Sequence, residues 1–203
     1  MKNVLLITSS TLSKKIHEKD KSNRFIFGDA AAATLISSRK ETGLGSFVLG
    51  TDGKQAEKII IKDGAGRNPI SENSYKEIED ETGNITSNAH LHMEGTGVFY
   101  FGLKTIPAMI KELLEKEKLK LEDVDLFIFH QANLFLISTV CSKLNIPDTK
   151  VFNYMENVGN TVSSSIPITL YQAMKDGKAK AGQKILLAGF GVGLSWGATI
   201  IEL

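Results

Sequence analysis

The chain has 203 residues, 42% hydrophobic and 23% charged, with a formal net charge of +1. That composition supports one or two globular domains with a substantial apolar core. Near-neutral charge gives no electrostatic case for nucleic acid or for an anionic membrane, and no apolar run approaches the roughly 18 residues of a membrane-spanning helix. The one cysteine, Cys141, has no internal partner for a disulfide, so a reducing, cytoplasmic compartment is the default.

The start, Met1-Lys-Asn-Val-Leu-Leu-Ile, lacks a small-residue cleavage site and reads as a strand rather than a signal peptide. Residues 4–7 are expected to be a buried parallel strand. Such a strand needs neighbours on both sides, which implies further chain upstream, and without them its sheet edge and apolar surface are expected to be exposed. Residues 8–20 are polar with room for a short helix, and 14–24 read as a solvated charge run. Phe25-Ile-Phe27 leads into Gly28-Asp29-Ala-Ala-Ala-Ala33, where small residues permit a close backbone turn before a strand at 34–37. Residues 45–51 and 58–62 read as strands, with Asp52-Gly53 marking a turn between them. The polar stretch 64–84, which carries Pro69 and several glycines, reads as a long connecting loop.

Thr96 is expected to cap the next helix. Phe99, Leu103, Ile106, Ile110, Leu113 and Leu114 share one face of it, and it ends near Glu117. A short apolar strand, Leu126–Phe129, runs into His130. A helix over Leu134–Leu144 follows, stopped by Pro147. A third helix spans 161–174, with Pro167 either kinking it or marking its first turn. Strands at 184–188 and 196–201 close the chain across a glycine-rich turn. This order predicts an α/β protein, a layered sheet with buried helices.

Three stretches carry chemistry. His130, at the carboxyl end of a strand, is either a structural histidine or a hydrogen-bond donor. Asn160, in Asn157-Val-Gly-Asn160-Thr161, either caps the following helix through its oxygen or donates through its NH₂. Two fixed donors aimed at one oxygen would stabilise an enolate or oxyanion. No Gly-x-Ser-x-Gly elbow favours a serine relay instead. Gly189-Phe190-Gly191-Val192-Gly193 reads as a tight hairpin whose backbone N–H groups can face the same place. With no helix after it, a dinucleotide site is not expected. His90-Leu-His92 suggests a two-histidine metal site on a strand, against the plainer reading of surface histidines. Cys141, mid-helix, reads as buried and inert.

The segments Phe27-Gly-Asp29-Ala-Ala-Ala-Ala33, His92-Met-Glu-Gly95, His130-Gln-Ala-Asn133, Gly159-Asn160-Thr161 with Ser165-Ile-Pro167, and Gly189-Phe-Gly-Val-Gly-Leu-Ser-Trp-Gly197 occur in the order seen in β-ketoacyl-acyl carrier protein synthase III. The resemblance covers the whole chain. It implies a thiolase-like layered αβαβα fold, with 1–62 the remainder of a first half, 63–84 a connecting loop and 85–203 the second half. It implies decarboxylative condensation of an acyl-CoA primer with malonyl-acyl carrier protein in fatty acid biosynthesis. The intact enzyme would be a cytoplasmic homodimer, with a coenzyme A thioester as substrate and no cofactor.

In that resemblance His130 and Asn160 match the enolate-stabilising pair. Phe190, Gly191 and Val192 match the oxyanion turn, and Phe190 would pack near the nucleophile. Met93, Gly95, Phe99, Ala132 and Asn133 match positions lining the pantetheine tunnel. The family's nucleophilic cysteine lies upstream of the first strand, so this chain is expected to hold two of three catalytic side chains and to condense little or nothing alone. Phe135 stands where the family often has a basic residue that docks the carrier protein. Ala30 and Ala32 replace common glycines. Two alternatives remain open: a non-catalytic acyl-CoA or carrier-binding fragment or divergent paralogue, and a metal-dependent hydrolase using His90 and His92.

Overall fold

The alternation of side chains along one short strand sets the architecture. In a computed structural model that describes residues 2–38 and 43–203, β8 (Leu126–Phe129) has all four side chains buried. Phe127 and Phe129 enter one apolar core, and Leu126 and Ile128 enter another. A strand apolar on both faces must be covered on both, and helices do so here.

The strands before it are β1 (Asn3–Ser10), β2 (Ala30–Ser37), β3 (Leu44–Thr51), β4 (Ile59–Ile61), β5 (Ile78–Glu79), β6 (Ile85–Thr86) and β7 (Leu91–Met93). After it come β9 (Lys184–Gly191) and β10 (Ser195–Glu202). The helices are α1 (Gly95–Glu117), α2 (Leu134–Leu144), the single turn α3 (Met155–Val158) and α4 (Ser165–Lys175). The main sheet runs β3-β10-β9-β8, with β8 parallel to β9 and the other pairs antiparallel. Helices α1 and α2 pack together, and α1 lies on β3, β9 and β10. On the far face α4 meets β8 and β9 and also touches β2 of the β1–β2 hairpin. The layers therefore read helices, sheet, helix, strand pair. Strand β3 falls within the 1–62 span yet pairs with β10, so the sheet draws on both sides of the connecting stretch.

Several expectations are corrected. The first strand is antiparallel rather than parallel, and its apolar side chains are exposed rather than covered on both faces. Strand β1 pairs antiparallel with β2, and Leu5 and Ile7 are 59% and 65% exposed. The 14–24 run is not simply solvated, because Asp20 and Asn23 are buried. Asp20 closes a polar turn by accepting from the backbone of Ser22 and Asn23 and from the Asn23 side chain. The expected strand at 58–62 shrinks to β4, and residues 53–58 form 3-10 turns capped by Asp52. Helix α1 starts at Gly95 with Glu94 before it, which puts Thr96 inside the first turn rather than at the cap. Helix α2 matches its expected range. It ends at Asn145 in the left-handed region, φ 57°, two residues before Pro147. Pro167 is the third residue of α4, where no intrahelical donor is needed.

Candidate active site

A cavity of about 1150 Å³ opens at the carboxyl ends of β8 and β9. His130, Asn160, Phe190, Gly191, Val192, Met93, Gly95, Phe99, Ala132 and Asn133 all line it. Its wall is mostly apolar, so the few polar groups in it decide what it can hold.

His130 is placed by the sheet. Its backbone N–H donates to Ala188 O at 2.8 Å, extending the β8–β9 ladder one residue past the strand. The ring meets Phe190 edge-on, with centroids 5.4 Å apart. Nδ1 lies 2.6 Å from Ser165 Oγ at the start of α4. Burial strips water from the imidazolium and lowers the His130 pKa to about 4, so the ring is neutral near pH 7.

Asn160 is held at its backbone by the segment before β2. Its N–H donates to Ile26 O at 2.8 Å, and its carbonyl accepts from Gly28 N at 3.0 Å. The two chains lie so close that a Cβ on Gly28 would collide with the Val158 carbonyl oxygen. The two roles weighed for the Asn160 side chain use different atoms, and both atoms are accounted for. Oδ1 accepts from Val162 N at 2.9 Å. The NH₂ group makes no hydrogen bond among the described residues and is left for the cavity. Val162 takes φ 54° to present that N–H, a conformation that costs a β-branched residue about 1–2 kcal/mol.

The glycine-rich segment is the β9–β10 hairpin. Gly193 has φ 135°, and a Cβ there would strike Ser195. The tip is tied down on the other side. Leu194 O accepts from Asp52 N at 2.7 Å, and Leu194 N donates to Asp52 O at 3.2 Å. Val192 is 64% exposed, so its side chain does not crowd the backbone that faces the cavity. Phe99, which lines the cavity, stacks on Phe135 with centroids 5.4 Å apart, and Phe135 is 71% exposed. Asn133 also has a structural duty as the cap of α2, accepting from Leu136 N at 2.7 Å.

Cys141 sits in the second half of α2, buried in the core and away from the cavity. Burial first, and Asp148 second, push its thiol up to about 11, the reverse of what a nucleophile needs. The two-histidine metal reading does not assemble. His90 precedes β7 rather than lying on it, and its Nδ1 is 2.7 Å from Ser87 Oγ. His92 Nε2 is 3.1 Å from Ser87 O. No group of three His, Cys, Asp or Glu side chains among the described residues is placed to hold a metal. Neither histidine is a plain surface residue, since burial lowers the pKa of both.

Two residues had no role in the sequence reading. Ser165 reaches His130, and Gln131, fully buried, donates to Phe129 O at 2.8 Å and accepts from Tyr154 N at 3.0 Å. Nothing in spacing or periodicity marks a serine 35 residues away as a histidine's partner.

Comparison with known proteins gives a consistent family. Residues 114–203 match the family described as 3-oxoacyl-[acyl-carrier-protein (ACP)] synthase III C terminal, and residues 1–53 match 3-oxoacyl-[acyl-carrier-protein (ACP)] synthase III. The β-ketoacyl-[acyl-carrier-protein] synthase III of Clostridium perfringens is 36% identical over 203 residues, covering 100% of this chain and 60% of the relative. That of Coxiella burnetii is 34% identical over 202 residues, covering 100% and 58%. Among solved structures, a 3-oxoacyl-(acyl-carrier-protein) synthase III superposes with a TM-score of 0.97 at 39% identity, covering 100% of this chain and 60% of that one. The Thermus thermophilus synthase III gives 0.85 at 32%, covering 100% and 59%. The chain thus spans about 60% of the length of the curated relatives it matches.

Proposed function

Because the chain belongs to the 3-oxoacyl-[acyl-carrier-protein] synthase III family and has its thiolase-like fold, we propose that the cavity is the malonyl side of a condensing site. The observation that carries this is the pairing of a neutral His130 with an Asn160 whose oxygen is already bonded, both lining one apolar cavity. An uncharged imidazole N–H and an amide NH₂ donate to the thioester carbonyl oxygen of a malonyl group. The bond from the methylene carbon to the carboxylate breaks, and its electron pair moves through the new carbon–carbon double bond onto that oxygen. Carbon dioxide leaves. The two donors stabilise the enolate, and the apolar wall favours loss of the carboxylate charge as carbon dioxide.

The enolate carbon then attacks an acyl thioester, a sulfur leaves as thiolate, and a 3-oxoacyl product forms. In this reading the acyl-bearing cysteine belongs to family sequence other than these 203 residues, since Cys141 is buried in a helix. The backbone of Phe190–Val192 would donate to the acyl oxyanion. Met93, Gly95, Phe99, Ala132 and Asn133 would flank the pantetheine arm. The substrates would be an acyl-CoA primer and malonyl-acyl carrier protein, and the enzyme a cytoplasmic homodimer of fatty acid biosynthesis. Exposed Phe135 offers a carrier protein an aromatic face instead of a charge.

The buried, weakly acidic Cys141 thiol, which leaves these residues without a nucleophile, favours a second reading, in which the chain is a non-catalytic binder of acyl thioesters that neither decarboxylates nor condenses them. One experiment separates these. With carboxyl-labelled malonyl-CoA, the chain should release labelled carbon dioxide and form no 3-oxoacyl product, because decarboxylation uses only the donors. His130→Ala and Asn160→Ala should each slow release by about 10²-fold or more. Binding without release favours the second reading. Release at the same rate from both variants refutes the proposed roles.

A further inference from the structure

Neutral imidazole donates from one nitrogen only. Nδ1 of His130 faces Ser165 Oγ at 2.6 Å, which leaves Nε2 for the cavity. Whether Nε2 carries the hydrogen is settled at the serine. The Ser165 hydroxyl has one hydrogen to give and two lone pairs to receive. Gln131 N, 3.4 Å from the same Oγ, can only donate. Among the described residues Oγ has no other hydrogen-bond partner.

If Nδ1 held the ring hydrogen, two donors would point at one oxygen and the hydroxyl hydrogen would have no acceptor. Ser165 is 1% exposed, so that orphan would be costly. If Nδ1 is bare, every group is satisfied. Gln131 N–H goes to Oγ, Oγ–H goes to Nδ1, and Nε2–H points onward. The serine has little freedom to do otherwise. It is the first residue of α4, and its own N–H is bonded to Val162 O. Gln131 is anchored through its buried side chain at both ends.

We propose that Ser165 is a positioning residue that fixes His130 as the Nε2–H tautomer, turning a histidine that only lines the cavity into one that donates into it. This rests on the donor reading of the site given above, and it says which side chain makes that reading possible.

The test is a long-range ¹H–¹⁵N correlation on the chain labelled with ¹⁵N-histidine near neutral pH, with His130→Asn to assign the signals. The ring hydrogen is expected on Nε2. Ser165→Ala should lower the preference for that tautomer by about tenfold, the worth of one buried hydrogen bond. Ser165→Thr, which keeps the hydroxyl, should preserve it. A wild-type His130 with its hydrogen on Nδ1 overturns the inference without any variant. An unchanged Nε2–H preference in a folded Ser165→Ala overturns it as well. The functional reading fails separately: His130 in the Nε2–H form with no carbon dioxide released from malonyl-CoA supports the role of Ser165 and refutes the decarboxylation.

Discussion

Acidification should destabilise this chain through His130 by an amount that can be set in advance. In the unfolded chain the imidazole titrates near 6.5, and in the folded chain burial lowers this to about 4. Between those values the unfolded state binds a proton that the folded state refuses, so stability falls as pH falls. The contribution is fully present above about pH 6.5, is lost progressively towards about pH 4, and changes no further below that. A separation of about 2.5 pH units at about 1.4 kcal/mol each gives about 3 kcal/mol. That is a large share of the stability of an ordinary domain.

The assay is guanidinium unfolding at about pH 7 and about pH 4 for the wild type and for His130→Gln, which cannot titrate. Other groups with shifted pKa, such as His90, His92 and Asp29, titrate in both proteins and cancel in the difference. The wild type should lose about 3 kcal/mol more than the variant across that interval. A difference below about 0.5 kcal/mol would mean that water or a charge reaches the ring and keeps its pKa ordinary. Burial would then not be what holds the His130 ring neutral in the site.

Other consequences are local. Gly28→Ala drives a Cβ into the Val158 carbonyl beside the Asn160 backbone. It should lower stability by about 1–3 kcal/mol in thermal unfolding and reduce carbon dioxide release from malonyl-CoA. Asn133→Ala removes the α2 cap and should cost about 1 kcal/mol, whereas Asn133→Ser should recover most of it; equal losses would show that capping is not the residue's structural duty. Cys141 should resist Ellman's reagent at about pH 8 while the chain is folded and react stoichiometrically in denaturant, since its thiol is buried and titrates near 11. Prompt reaction in the native chain would contradict the packing of α2.

What could be read from the sequence was local. Apolar runs and helical spacing placed β8, α1 and α2 within a residue or two, because burial on a strand or a helix face leaves a period in the chain. The family resemblance, not spacing or periodicity, is what assigned ten residues to one site, and the ten line one cavity. The fates of β1 and of residues 14–24 were not legible. An apolar strand carries no mark of the direction in which its neighbour runs, and a charged run carries none of the turn that buries Asp20.

The order of residues is enough to specify the alternation of strands and helices, the glycine hairpin, and the presence of a histidine and an asparagine able to donate. Tertiary structure alone decided how those groups are presented. The β8–β9 ladder sets the position of His130, and burial lowers its pKa. The Val162 backbone takes the Asn160 oxygen and frees its NH₂, while Ser165 comes from another helix to meet Nδ1. Protonation state and hydrogen-bond direction depend on what surrounds an atom in space, and residues far apart in the chain supply those surroundings.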